Sequence, residues 1–259
     1  MNRILKRKVR KSNSKKSNSK GIKKKSLMII LAAVFGVVLV GGSVTAFLTM
    51  GKNTTPQNKE QPEQLMKTLL QPIVQNASAL GTSKSNITLL EFGDYQCQYC
   101  ARFHRDTKDL IVNNYVNTGM INFLFKDFVI NDRPTDRLST LAAIGSYCAA
   151  EQGKYWQYHD EVYRNSKGEN TDWVSKNSLT QFAVYAGVTD TDKFSACLDS
   201  KKYESLVTTN DNLARSIGLT STPTFILIAE GKPPLKIVGA QPYSVFEDAI
   251  KQTLMEIPS

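Results

Sequence analysis

The chain reads as an α/β protein made of a β-α-β unit, a long helical block and a closing β-β-α unit, preceded by one transmembrane helix. Three observations give that reading. Residues 27–50, LMIILAAVFGVVLVGGSVTAFLTM, form a 24-residue run without charge behind a lysine-rich tail. A short apolar run at 87–93 leads into two cysteines spaced Cys-x-x-Cys at the start of a helical stretch. Strand-like runs return only after the helical pattern of residues 135–215, at 224–229 and 235–238.

The tail and the apolar run set the topology. Of 33 Lys and Arg, twelve lie in residues 1–25 with no acid among them, leaving 21 bases against 23 acids in the remainder. The formal charge of +10 therefore belongs to a tail and not to a face of the folded domain, which speaks against nucleic-acid binding. A helix rises ~1.5 Å per residue, so about 20 apolar residues span a hydrocarbon core of ~30 Å. Lys23, Lys24 and Lys25 abut one end of the run and only Lys52 follows closely at the other. The basic side stays cytoplasmic, which places residues 51–259 outside the cell membrane as the load of a single-pass signal-anchor. The rival reading is a cleaved signal peptide, whose apolar core is usually shorter.

The expected order is a tail at 1–26, the anchor at 27–50, a linker and helix at 51–84, a first α/β part at 85–134, the helical block at 135–215 and a second α/β part at 216–259. Residues 51–64 are polar with two prolines and read as linker. Residues 65–80 read as helix interrupted near Pro72. Residues 87–93, ITLLEFG, read as a strand carrying one acid, Glu91. Asp94 to Gln96 make a turn, and Cys97 opens a helix with Phe103, Leu110, Ile111, Tyr115 and Val116 on its buried side, ended by Gly119. The next strand is expected at 121–125. In the helical block, small residues at Ala142, Ala143, Ala149 and Ala150 permit close packing. Residues 224–229 and 235–238 form a hairpin across a turn at 231–234, and 243–255 carry a helical stripe.

All four cysteines fall on the external side, where disulfides are permitted. Cys97 and Cys100, separated by Gln98 and Tyr99, lie close enough at a helix start to pair. Unsatisfied backbone N–H groups and the positive helix end favour thiolate at the first of them. Cys97 is thus the attacking cysteine and Cys100 the resolving one. An inert disulfide and a four-ligand zinc site completed by Cys148 and Cys197 are the alternatives. A 49-residue spacing within a helical block makes Cys148 and Cys197 look like a staple, with two buried free cysteines acting as small hydrophobes as the alternative. Glu91 leaves two readings open: a buried acid of raised pKa exchanging protons with the resolving thiol, or an edge glutamate on a half-buried strand. His104 lies two turns beyond Cys97 and is not placed as a base for it; His159 reads as a packed helix residue. Thr222-Pro223 precedes a strand, and residue frequencies alone favour a trans bond there. No cofactor or metal site is expected.

The pieces LLEFGDYQCQYC at 89–100, YCAAEQGKYWQYHDEVY at 147–163 and GLTSTPTFIL at 218–227, in this order, resemble the DsbA-like branch of the thioredoxin superfamily. The resemblance spans most of residues 85–255. It implies a thioredoxin-like fold with an inserted helical domain, Cys97 as exposed nucleophile, Cys100 as its buried partner and Glu91 as the acid beneath them. It makes Pro223 a cis proline facing the cysteines, and gives Thr222, with Gln98 and Tyr99, the contact with bound peptide. It also implies that Cys148 and Cys197 form a structural disulfide. Strongly oxidising members carry Pro-His where this chain has Gln98-Tyr99, so a donor to the thiolate is missing and a weaker oxidant is expected.

The function expected is an extracytoplasmic oxidase that introduces disulfides into thiol-containing secreted or surface proteins and is re-oxidised by a membrane partner, which the resemblance makes a quinone-linked one. A reductase or isomerase on the same fold is the alternative, and a redox-inert tethered binding domain the third. The chain shows no dimerisation module of the isomerase type, which favours a monomeric oxidase.

Overall fold

The apolar run ITLLEFG is β2 (Ile87–Gly93), the middle strand of a five-stranded sheet in the order β1-β3-β2-β4-β5. In the computed structural model, residues 60–71, 77–82 and 85–256 are described. The anchor expected at 27–50 lies outside them; among the described residues no helix is long and apolar enough to cross a membrane.

β2 is buried along nearly all its length because it is covered on both faces and paired on both edges. It runs parallel to β3 (Asn122–Asp127) and antiparallel to β4 (Thr224–Ala229), which in turn pairs with β5 (Leu235–Val238). A buried strand of this kind reads as a nearly continuous apolar run, which is why its limits were legible. β3 begins one residue later than expected and continues through Asp127. Residues 65–80 are not one interrupted helix. A helix α1 (Glu60–Leu70) starts inside the expected linker, and Ala79–Leu80 form a short strand, β1, antiparallel to β3. β1 caps the sheet edge by hydrogen bonding that no periodicity announces.

Between β2 and β3 the chain is helical: α2 (Gln98–Phe103) and α3 (Asp109–Ile111) are joined by a π-wound segment, His104–Lys108, and followed by another, Val112–Val116. Gly119, at φ +77°, turns the chain back toward the sheet. Leu110 is 45% exposed and does not belong to the buried stripe, since the wider π turns shift the register of side chains around the axis. This layer and α9 (Tyr243–Glu256) pack on one sheet face through Phe103, Phe123, Phe225 and Phe246. On the other face, Leu69 of α1 and Ala214 of α8 (Glu204–Ser216) meet Leu90, Phe92 and Ile226.

The remaining helices, α4 (Leu138–Ala150), α5 (Tyr155–Arg164), α6 (Lys176–Tyr185) and α7 (Thr191–Asp199), form with α8 the helical block inserted between β3 and β4. Their core is aromatic and small-residue rich, with Ala142, Ala143, Tyr147, Tyr158 and Phe194 buried. Cys148 on α4 and Cys197 on α7 are joined by a disulfide with Cα atoms 5.8 Å apart. The same core includes Tyr95, Cys97 and Cys100, so the block packs directly onto the cysteine pair.

Candidate active site

The cysteines are held by the turn that ends β2. The Asp94 carboxylate accepts from the backbone N–H of Gln96 at 2.8 Å, the hydroxyl of Ser139 at 2.7 Å and the N–H of Asn131 at 2.9 Å. Its carbonyl accepts from the N–H of Cys97 at 3.0 Å. One buried carboxylate thereby ties the turn to α4 and to the loop after β3. Burial pushes the Asp94 acid up to about 7 against these donors. The motif Asp-Tyr-Gln is an Asx-type turn, yet nothing in the sequence alone singled out Asp94.

Cys97 is the N-cap of α2, in extended backbone at φ −69° and ψ 119°, with no side-chain cap bond. Its sulfur stands where a capping oxygen would. The hydrogen bond from the Cys100 thiol is the main cause that brings Cys97 down from 9.0 to about 6; burial opposes it, and the Thr222 side chain and the amides of Cys100 and Tyr99 add to the lowering. The Cys97 thiol lies 3.4 Å from the Thr222 carbonyl oxygen, to which it donates when protonated. That bond favours the thiol, whereas the amides and the otherwise unpartnered Thr222 hydroxyl favour the thiolate. Cys97 is not the exposed residue that the resemblance implies: it is 3% exposed, because the Thr222 loop covers it. Cys100, one turn deeper, is fully buried. Burial first, then the bond to Cys97, push its thiol well up. Both thiols are free. Neighbouring sulfurs therefore prefer opposite protonation states.

Glu91 is fully buried at the centre of the sheet, in register with Phe125 of β3 and Phe225 of β4. The edge reading fails because β2 has a partner on each side. Burial raises its pKa well above the ordinary carboxylate range, with Lys108 opposing. The negative charge of Glu91, when present, raises Cys100. Space for the carboxylate depends on Gly93, where a Cβ would lie 2.5 Å from the Phe125 ring and 3.1 Å from Glu91 Oε1.

His104 is the residue whose partner sequence reasoning did not find. It is not a partner of Cys97; its Nε2 lies 3.2 Å from Glu91 Oε2. Its ring stacks on Tyr163 at 4.1 Å and meets His159 edge-on at 4.6 Å. His159 is hydrogen-bonded to the Tyr95 hydroxyl at 2.8 Å, in keeping with a packed helix residue. Burial lowers both imidazoles, so they are neutral near pH 7. A histidine two turns along a helix gives no sign of meeting a strand acid 13 positions earlier; only the sheet-helix packing brings them together.

The Thr222–Pro223 bond is cis, as the resemblance implies and against the residue-frequency reading. The loop is held by the Thr224 hydroxyl donating to the Ser221 carbonyl at 2.7 Å and by Gly239 N–H donating to the Pro223 carbonyl at 2.8 Å. Gln98 and Tyr99 project outward from the first turn, Tyr99 being 47% exposed with the Arg102 guanidinium 5.0 Å from its ring centre. Among the described residues, one grouping has metal-ligand spacing: an atom each from His104, His159 and Asp160 within 4.8 Å. The Lys108 ammonium, 2.5 Å from Asp160, already balances that carboxylate, which disfavours a cation there.

A dithiol at the end of a central strand, faced by a cis-proline loop and backed by a buried acid, defines a thiol–disulfide exchange protein of thioredoxin-like fold. The thioredoxin family profile matches residues 74–251, and the chain belongs to that family as a DsbA-like thiol–disulfide oxidoreductase. It is 23% identical over 154 residues to Disulfide bond formation protein D of Bacillus subtilis, covering 60% of this chain and 68% of that protein. A putative protein-disulfide oxidoreductase of Rickettsia typhi is 24% identical over 157 residues, but the chain spans only 54% of its length. The oxidised crystal structure of BdbD from Bacillus subtilis matches with a TM-score of 0.63 at 22% identity, over 71% of this chain and 96% of that one. Alpha-DsbA1 of Wolbachia pipientis gives 0.61 at 23%, over 72% and 95%. These structural likenesses carry the fold.

Proposed function

We propose that the protein is an oxidase that transfers the Cys97–Cys100 disulfide to thiol-containing secreted or surface proteins from the outer side of a cell membrane. The observation that carries this is the asymmetry of the pair: Cys97 brought down to about 6 beside a Cys100 pushed well up. Stabilising one thiolate stabilises the reduced form, and so makes the disulfide a better oxidant.

In the step proposed, a substrate thiolate attacks Cys97 Sγ, the bond between Cys97 and Cys100 breaks, and the electron pair leaves on Cys100. Glu91, protonated in its buried setting, supplies the proton that Cys100 takes. A second substrate thiolate then attacks the substrate sulfur of the mixed disulfide and releases Cys97 as thiolate. The substrate leaves oxidised by two electrons and the enzyme is left as a dithiol. Thr222 offers its backbone to the bound peptide beside Pro223, and Gln98 and Tyr99 flank the entry. The Cys148–Cys197 bond is structural: it lies between α4 and α7, away from the helix N-terminus that activates Cys97. Return to the disulfide requires a membrane oxidant, for which a quinone-linked partner fits the anchor expected at 27–50.

The deciding measurement is the reduction potential of Cys97–Cys100. A potential above that of protein dithiols being oxidised supports an oxidase; one near the low potential of thioredoxin, about −270 mV, would point to the reductase instead.

A further inference from the structure

We infer that His104 is the residue through which protons pass between solvent and the buried Glu91–Cys100 pair. The inference rests on the exchange step proposed above, in which Cys100 takes a proton that Glu91 must then recover. Glu91 has no access to water of its own. It is fully buried, and His104 is the one side chain hydrogen-bonded to it among the described residues. Its other oxygen, Oε1, has no hydrogen-bond partner.

His104 has the two ends that such a role needs. Nε2 meets Glu91 Oε2 at 3.2 Å, and Nδ1 is buried without any protein partner. His104 is also among the residues lining a cavity of about 310 Å³, together with Ala101, Arg105, Asp109, Asp160 and Tyr163. That space is large enough for several waters. Arg105 and Asp109 at its rim have side chains 68% and 80% exposed, so the cavity opens to solvent. The structural alternative is a histidine kept only for stacking on Tyr163. Stacking accounts for the ring but not for a hydrogen bond to a buried acid at one nitrogen and an unpaired nitrogen at the other.

The charged and titratable groups facing His104 come from three elements: Glu91 from β2, Lys108 and Asp109 from its own helical segment, and His159, Asp160 and Tyr163 from α5. Burial lowers the imidazole, with Lys108 adding to the lowering and Asp160 and Asp109 opposing it, so the ring there is uncharged; Lys108 is itself paired with Asp160. A neutral imidazole conducts by gaining one proton as it gives another. After Cys100 takes the Glu91 proton, Nε2–H passes its proton to the carboxylate while Nδ1 takes one from cavity water. The net event is one proton moved from solvent to Cys100 with no charge left in the interior. In the reverse direction, when the dithiol is oxidised again, the same atoms carry the Cys100 proton outward. His104 acts through Glu91 and is a positioning residue for the reaction.

The test follows reduction of the oxidised full-length protein in detergent by a dithiol peptide under stopped flow, beside iodoacetamide alkylation of Cys97 in the reduced protein. Wild type and the variants His104→Ala and His104→Phe are compared. Both variants should slow reduction by about 100-fold, the loss typical of a missing acid–base group, while alkylation, which moves no proton to Cys100, stays within about twofold. Added imidazole should restore the Ala variant, whose lost ring leaves a space continuous with the cavity, and not the Phe variant, where the space is filled. Unchanged reduction in both variants, or an equal slowing of alkylation, overturns the relay and leaves a packing residue. A wild-type protein inert toward the dithiol peptide would instead sink the exchange reading itself.

Discussion

Removing Cys100 tests the largest cause of the low Cys97 pKa. That cause is the hydrogen bond donated by the Cys100 thiol. A hydrogen bond to a charged group contributes about 1.5–3 kcal/mol, which is about 1–2 pH units. In Cys100→Ala, the midpoint for Cys97 should therefore rise from about 6 to about 7–8. It should stop short of 9.0, because Thr222 and the amides of Cys100 and Tyr99 remain. The assay is the rate of iodoacetamide alkylation against pH, with thiolate absorbance as a second readout. The sign also fixes a stability window. The folded Cys97 pKa is depressed, so its contribution to the reduced protein is fully present above 9.0 and is lost as pH falls through about 6. At pH 7 the shift from 9.0 to about 6 leaves about 1.4 kcal/mol, which is about 30 mV in a two-electron couple. The stability of the reduced protein relative to the oxidised one should thus climb between pH 6 and 9. A wild-type midpoint near 9, or a midpoint that does not move in Cys100→Ala, would refute the reasoning.

Four further outcomes are expected. Protease added outside sealed cells should remove the large domain and leave the basic tail, and protection of the domain would reverse the topology. The double variant Cys148→Ser, Cys197→Ser opens a loop of 49 positions and should lose on the order of 4 kcal/mol while still exchanging disulfides; non-reducing peptide maps and melting curves check both halves. Asp94→Ala strips the acceptor from the Ser139 hydroxyl, from the buried N–H of Gln96 and from the half-buried N–H of Asn131, and should cost about 3 kcal/mol or more in denaturant unfolding. Gly93→Ala forces a methyl group against Phe125 and the Glu91 carboxylate, with about 1–3 kcal/mol lost and a disturbed exchange rate.

What the chain announces by itself is local. A fully covered strand is apolar along its length, so β2 and β4 were legible to the residue; β5 is mostly exposed at the sheet edge, and it was legible as the hairpin partner across the turn after β4. Cys97 and Cys100 were legible because their chemistry depends on a three-residue spacing and a helix start, both of which are sequence properties. What tertiary structure decided depends on groups far apart in the chain. β1 exists only through its pairing with β3, and Leu110 leaves the buried stripe because two π-wound segments change the helical period. Glu91 stood between two readings until its strand acquired neighbours on both edges. Asp94 gained its weight from Ser139, 45 positions on, and His104 from a carboxylate 13 positions back on another element. The covering of Cys97 by Thr222, 125 positions away, is likewise set by packing. Hydrophobic period and turn chemistry act between neighbours and are written in order along the chain; burial, pKa and hydrogen-bond partnership arise only when the fold brings distant residues into one low-dielectric space.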